Sequence, residues 1–548
     1  MRSLFHFLNI AFDRATVPTI LLSLAAVVFV QFFCQIIYYK FFHPLRHYPG
    51  PFWAGATRIW SAWHHFRGTE TEVLWQAVKK YGPIVRVSPT MLLLADSTLI
   101  PTVYHRRSTK ARWFPQEMFK RPGIILVRDP FRHAAHRRLV ANTYSLSNVQ
   151  RMEGLIERNI LRWLDRLNTT FVEPKKPVDF ATWSTFLSYD TITDVAFRTP
   201  LGFIESGKDV DNLIRIFQAG MVLLGTVGRV YKLFDLLTHP RLKKYFQVSP
   251  EQNIWFGGVM KRAKQVLADR TKAIEEGRTV KAEKGGEDYD FLQAFMDTRT
   301  PEGNVLDAES IQSEIFVILG AGSDGFGSSA SALFAEVLSR PAIYARVLDE
   351  IKAAVQTGRI SYPIPTYTEV AKSLPFFGAC IREAMRLHPL ASTLLPRETT
   401  PLDPEIVLQG RKIPVGVELA ANPWISHRDK DVYGEDAEEF NPDRWLVDPV
   451  KAKELEKYNL VWGAGSRVCL GKHFAMMMLY KAPVALLMKF EATLCKETPQ
   501  TPKAWSRMIG PARVWSDVWL NLKRREPWVV VRDKEGLQDV QSPSPEAL

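Results

Sequence analysis

Trp462-Gly463-Ala464-Gly465-Ser466-Arg467-Val468-Cys469-Leu470-Gly471 is the stretch whose reading decides the fold. A cysteine sits in a glycine-rich loop, two residues after an arginine. An apolar run, Lys472 to Leu479, follows and reads as a helix. Backbone N–H groups, positive charge and a helix N-terminus all lower a cysteine's pKa, so this is a loop suited to a thiolate. Gly463, Gly465 and Gly471 let the backbone approach a large flat cofactor without a Cβ clash. Arg467 can pair with a carboxylate of that cofactor. The alternative is a buried, inert cysteine in a turn.

The spacing aromatic-x-x-Gly-x-Arg-x-Cys-x-Gly resembles the ligand loop of cytochrome P450 monooxygenases, with Trp462 where that family usually has Phe. The resemblance implies haem b with the Cys469 thiolate as axial metal ligand. It also implies haem contacts from Arg467 and from the loop glycines 463, 465 and 471. Thiolate ligation of haem iron favours O–O cleavage.

Further motifs extend the resemblance over about Tyr48 to Arg525. Glu383 and Arg386 stand three apart in a helical run, so they share a face. With Arg444 of Phe440-Asn441-Pro442-Asp443-Arg444-Trp445 they match the family's structural network behind the haem. His133 and Arg137 are four apart on one helix face and match a pair that reaches a haem propionate. The other reading of that helix is a basic, solvated surface, which is assigned to His136 and Arg138. Arg397, in Leu395-Pro396-Arg397, resembles another propionate contact.

The distal turn departs from the pattern. The family motif is Ala/Gly-Gly-x-Asp/Glu-Thr-Thr/Ser; here the chain reads Ala321-Gly322-Ser323-Asp324-Gly325-Phe326-Gly327-Ser328. The threonine that normally positions a proton-relaying water is Gly325. Asp324 with ordered water, Ser328 one turn on, or a substrate hydroxyl must take its place. A fourth reading is an enzyme that activates less oxygen than its relatives. Phe326 either narrows the pocket or faces the core. Gly320 to Gly325 fits G-x-G-x-x-G literally, but it lies in a helical run without βαβ context.

Composition agrees with one large body. The chain has 548 residues, 46% of them hydrophobic, and 4 cysteines, too few for a disulfide framework. The expected fold is mainly α, with a minor β portion (Ile84 to Val87, Met91 to Leu94, Ile406 to Leu408), preceded by one transmembrane helix. The expected division is a membrane anchor and the start of a proline-rich hinge over 1–45, a haem-thiolate domain over 46–533, and a disordered tail over 534–548. Val17 to Tyr39 carries no charge and is long enough to span a bilayer. Flanking Lys40, Arg46 and Arg58 place the body in the cytosol by the positive-inside tendency, which suits a single-pass endoplasmic reticulum protein. His43-Pro44 and Pro49-Gly50-Pro51 then end the helix. Phe217 to Leu237 is either a roof over the substrate channel or plain core helix.

The net charge of +13 fits an anionic membrane or an acidic partner. No recognition helix or zinc spacing points to nucleic acid. No flavin or nicotinamide signature is present, so electrons are expected from a separate NADPH–cytochrome P450 reductase. Apolar candidate pocket walls (124–127, 317–321, 390–394) imply a lipophilic substrate. The style of the chain resembles fungal enzymes of secondary metabolism, which act on terpenoids, alkaloids or polyketides. A haem-thiolate isomerase or dehydratase needing no reductase, and a non-catalytic haem carrier or sensor, are the alternatives.

Overall fold

The computed structural model describes residues 16–251, 256–278, 289–322, 324–495 and 505–528. The expected tail and Ser323 lie outside them. Helix α1, Thr16–Ile37, is 22 residues long and about 33 Å at the α-helical rise. Ile20, Leu22, Val27, Phe29, Val30 and Phe33 along it are exposed. The helical course does not stop at Tyr39: Tyr38–Phe42 forms a π turn, and Lys40 in it lies 4.5 Å from the Phe52 ring. Pro44 then opens a 3-10 turn in which Leu45 is buried, and the buried Tyr48 donates its hydroxyl to Leu408 O at 3.0 Å. The proline segment is therefore docked on the body.

Two short helices, α2 (Ile59–Phe66) and α3 (Glu70–Tyr81), lead into a five-stranded sheet. The hairpin β1 (Ile84–Ser88) and β2 (Met91–Leu94) is buried throughout, including the polar Arg86 and Ser88 of β1. Strand β3 is Thr109–Lys110, β4 is Val178–Asp179, β5 is Arg397–Glu398, β6 is Val407–Leu408, β7 is Arg411–Lys412 and β8 is Glu418–Ala420. The sheet order is β1-β2-β8-β5-β3, with β2 and β8 parallel. Near the C-terminus β9 (Phe490–Leu494), β10 (Ser506–Ile509), β11 (Ala512–Trp515) and β12 (Trp519–Arg524) follow. β12 pairs with both β4 and β9. The expected early strands are present. The expected stretch Ile406 to Leu408 holds β6; the other two-residue strands and the C-terminal sheet were not anticipated.

Helices form the rest. Helix α4 (Pro130–Val140) starts with Pro at its first position and Asp129 as cap, whose Oδ1 accepts from Arg132 N at 2.7 Å. Helix α5 (Phe180–Phe197) is buried on almost every side and runs through the main core. Helices α6 (Leu213–Arg229) and α7 (Tyr231–Leu237) form one long arm. Helix α8 (Ala308–Ala321) and helix α9 (Asp324–Leu338) lie end to end with a break between them. Helix α10 (Pro375–Leu387) carries the Glu383 network, and α11 (Lys472–Lys489) follows the cysteine loop.

Candidate active site

The cysteine loop is held by local geometry that only its sequence permits. Cys469 N donates to Trp462 O at 2.8 Å and closes the loop. Gly465 has φ +63, and a Cβ there would lie 2.1 Å from Tyr104 O, so both conformation and packing exclude a side chain. Gly471 caps α11, and a Cβ on it would meet the Cys469 Sγ at 3.9 Å. Arg137 from α4 donates to Val468 O at 2.7 Å. This arginine was expected to reach a propionate; its observed bond braces the backbone next to the cysteine.

Cys469 is exposed, yet burial is the chief influence on its thiol and pushes its pKa up. The two facts agree if the sulfur opens onto an internal cleft rather than bulk water. Against desolvation act the Gly471 N–H, the Arg137 charge, the Lys472 N–H and the Lys472 charge, each favouring thiolate. Cys380 is buried, and desolvation raises its pKa strongly, as for an inert thiol. Cys495 is also buried, and Cys34 lies on α1.

Beside the loop lies a cluster of buried cations. Lys110 and Arg397 are direct cross-strand partners in the β3–β5 pair. Like charges in that position repel. Both are buried, as is His133. Arg467 donates to Val127 O at 2.7 Å and Arg128 O at 2.6 Å, and Lys110 donates to Ile125 O. Among the described residues no carboxylate forms an ion pair with Lys110, Arg397, Arg467 or His133. His133 Nδ1 and the Nε atoms of Arg397 and Arg467 are buried without a hydrogen-bond partner. Desolvation, then the Arg397 and Arg467 charges, holds the Lys110 ammonium well below its ordinary range. Desolvation and Arg397 bring Arg467 down to about 9. Desolvation first, then the charges of Arg467, Lys110, Arg137 and His136, takes His133 to about 3. Unpaired buried charge is costly unless an anion compensates it. The donor set thus fits a dianionic group next to a thiolate, which is the charge pattern of haem. The sequence reading gave His133, Arg397 and Arg467 but missed Lys110, whose segment carries no recognisable spacing.

His136 corrects an expectation. It was assigned to a solvated face, but its Nε2 lies 2.8 Å from Oε1 of the buried Glu314 on α8. Arg138 is exposed, as expected. Behind the loop the structural network is complete. Arg386 Nε and Nη2 donate to Glu383 at 2.9 and 2.8 Å, and both residues are fully buried. Arg444 Nε and Trp445 Nε1 donate to Glu383 at 2.9 Å each. The other face of Arg386 donates to His427 O, Ala437 O and Glu439 O. His427 Nε2 accepts from Leu460 N at 2.9 Å, which links the network to the start of the cysteine loop.

At the break between α8 and α9, Gly322 O accepts from Ser188 Oγ of α5 at 3.0 Å. A Cβ on Gly322 would meet Ile192 at 2.8 Å. Among the described residues a Cβ on Gly325 would meet only Leu390, at an ordinary contact distance of 3.8 Å, so a side chain has room at that position. Phe326 is 2% exposed and belongs to the main core, which decides between its two readings. Asp324 Oδ2 accepts from Gln218 Nε2 of α6 at 3.4 Å. Burial raises the Asp324 pKa to about 6; the Gln218 hydrogen bond opposes this and the Asp209 charge adds to it. Ser328 is buried one turn further on, and no hydrogen bond joins it to Asp324 among the described residues. Phe217 of α6 lies over Gly320, where a Cβ would come within 2.1 Å of its ring. Phe217 and Gln218, at the start of the segment 217–237, therefore cover the distal turn.

Comparison with known proteins agrees with this geometry. A sequence-family model described as Cytochrome P450 matches residues 53–512. Quiannulatic acid synthase of Emericella variicolor is 54% identical over 513 residues, covering 94% of this chain and 96% of that protein. Cytochrome P450 monooxygenase gsfF of Penicillium aethiopicum is 30% identical, covering 90% and 96%. Cytochrome P450 monooxygenase cicH of Emericella nidulans is 29% identical, covering 86% and 93%. The chain belongs to the cytochrome P450 family, whose members hold haem through a cysteine thiolate, and it is an oxidoreductase that incorporates oxygen from O2.

Proposed function

We propose that this chain is a membrane-anchored monooxygenase of a fungal secondary-metabolite pathway that oxidises a lipophilic small molecule, with electrons from a separate NADPH–cytochrome P450 reductase. The observation that carries it is the set Lys110, His133 and Arg397, all buried, with half-buried Arg467; the set has no ion-paired carboxylate among the described residues and lies beside the Cys469 loop. Cys469 would hold the iron, the donors of Lys110, His133, Arg397 and Arg467 the propionates, and Gly463, Gly465 and Gly471 the close backbone approach. When bound, haem supplies dioxygen reduction and oxygen transfer. The protein's own contribution is threefold. Arg137 and the Gly471 and Lys472 N–H groups favour the anionic sulfur against desolvation. The apolar distal walls exclude water from the substrate. Asp324, with a pKa near neutrality, passes protons, helped by Ser328 or by a substrate hydroxyl in the space at Gly325.

The similarity to an enzyme named for an acid product suggests the end point. Taking a methyl group to a carboxylic acid needs three successive two-electron oxidations, passing through alcohol and aldehyde. Each stage consumes one O2, two electrons and two protons; water leaves, four molecules in all.

The domain division carries over to this proposal: anchor and hinge over 1–45, haem domain to 533, tail beyond. α1 would cross the endoplasmic reticulum membrane with the body in the cytosol. In support, Phe41, Phe52, Trp53, Trp63 and Phe66 are exposed in the segment that follows α1, and Lys232 of α7 donates to Gln35 of α1 at 3.0 Å. The test is turnover in microsomes with reductase, NADPH and isotopically labelled O2. Label from O2 in the product is expected. Conversion without NADPH and reductase would refute the monooxygenase reading in favour of an isomerase or dehydratase. Haem uptake with no oxidation of any pathway intermediate would favour a carrier.

A further inference from the structure

We propose that Gln218 is a positioning residue for Asp324, its amide turning the carboxyl toward helix α6 so that proton delivery depends on how that helix is seated on the distal turn. The proposal rests on the reading of Asp324 as the proton-passing acid.

The contact joins two separate helices: Gln218 Nε2 donates to Asp324 Oδ2 at 3.4 Å, longer than an ordinary N–H···O bond. Small shifts of α6 therefore make or break it. The two ends of α6 are held differently. At its C-terminal end Arg229 is buried, donates twice to Glu70 at 3.0 and 2.8 Å, and stacks 3.7 Å from the Trp113 ring centroid. Gly228 there allows Trp113 O to lie where a Cβ would be 2.5 Å away. The N-terminal end is a strained bend. Asp211 and Asn212 take φ +53 and +55 in succession, a conformation that costs non-glycine residues free energy. Gln218 sits between the pinned end and the strained end, next to Phe217, which rests on Gly320 of α8.

Among the described residues Gln218 is the hydrogen-bond donor to the Asp324 carboxyl. From the loop before α6, Asp209 acts on it as a second negative charge. From α5 the neighbour is the Ser188 hydroxyl, already donated to Gly322 O. Gly325 supplies no hydroxyl. The Gln218 amide therefore favours the ionised carboxyl against desolvation.

The experiment uses the full-length holoenzyme. The Asp324 carboxyl band is followed by infrared difference spectroscopy across pH and identified by its loss in Asp324→Asn. Its midpoint is expected near 6 in the native protein. In Gln218→Leu and in Gln218→Met it should rise by about half to one pH unit, the equivalent of a hydrogen bond to a charged group at this long distance. The pH profile of coupling, product formed per NADPH consumed, should move the same way. An unshifted band in both variants, with coupling still lost in Asp324→Asn, overturns the role of Gln218 alone. Full coupling in Asp324→Asn overturns the reading on which it rests. Should Gln218→Leu fail to bind haem, Gln218→Met, which keeps chain length without a donor, gives the deciding titration.

Discussion

Replacing Arg386 by alanine tests how far the haem site depends on groups that never touch haem. Arg386 is fully buried and makes five hydrogen bonds: two to Glu383 and three to the carbonyls of His427, Ala437 and Glu439. Removing one partner of a buried ion pair costs about 3–5 kcal/mol. The buried carbonyls of His427 and Ala437 also lose a donor, at roughly 1 kcal/mol or more each unless water enters, and the part-buried Glu439 carbonyl loses less. Glu383 keeps Arg444, Trp445 and the Asn441 N–H, at 3.0 Å for the last, so part of its charge stays compensated. A net loss of about 5 kcal/mol is a large share of the ~5–15 kcal/mol that stabilises a folded domain. His427 Nδ1 donates to Arg386 O at 2.9 Å and its Nε2 accepts from Leu460 N, so the cysteine loop loosens with the network. The expected result is a chain that expresses poorly, unfolds at much lower urea and retains little haem. Arg386→Lys should rescue little, since an ammonium cannot reproduce the planar fork. Urea unfolding followed by tryptophan fluorescence, with haem content measured alongside, is the assay. An unfolding free energy within about 1 kcal/mol of the native protein, at full haem content, would refute the reasoning.

Cys469→Ser should abolish the carbon monoxide difference band of the thiolate-ligated haem, measured on the reduced protein. Deleting residues 1–40 should move the protein from membranes toward soluble fractions in flotation assays. The exposed aromatic residues Phe52, Trp53 and Trp63 should leave a residual affinity. Lys110 has a pKa held well below its ordinary range by burial, Arg397 and Arg467. An anionic ligand restores its proton, so haem binding takes up a proton, and affinity should fall as pH rises above that lowered pKa. Haem titration of the apoprotein at several pH values should show this slope in the native chain and lose it in Lys110→Met. Gly325→Thr should fold normally, because a side chain has room there beside Leu390, and should lower peroxide release with substrate analogues that lack a hydroxyl.

The parts of the site legible in the sequence are those whose geometry is local. In the cysteine loop, Gly465 answers a positive φ and the close approach of Tyr104, and Gly471 answers a helix cap beside the sulfur. The φ at Gly465 and the cap at Gly471 are set within ten residues and leave a spacing that can be read, whereas the approach of Tyr104 is long-range. Glu383 and Arg386 share one helix turn and are legible for the same reason. Lys110 is different. Its role comes from pairing opposite Arg397 across 287 residues of chain, in a strand only two residues long. Two residues carry no periodicity, so neither strand nor partner could be recognised. His136 was misread for a related reason: its surroundings are basic in sequence, but the helix face it shares meets Glu314 of α8.

The distal turn shows the limit most clearly. Sequence identifies Gly325 as a missing hydroxyl but cannot say whether Phe326 then fills the space. Helix phase decides it: one residue is about 100° from the next. Phe326 consequently enters the core while position 325 faces Leu390. The residue that removes the alcohol therefore also leaves room for a side chain beside Asp324, where among the described residues a Cβ would meet only Leu390. Whatever occupies it, ordered water or a substrate oxygen, stands next to a carboxyl that titrates near 6. On the reading proposed above, substrate shape and proton delivery are then set at one position. An alcohol or aldehyde intermediate would bring the missing oxygen itself. The first oxidation of a hydrocarbon substrate should be the least coupled and the later ones the best. Peroxide released per turnover, measured separately with hydrocarbon, alcohol and aldehyde substrates, should fall in that order; equal leakage from all three would separate the open volume from the proton path.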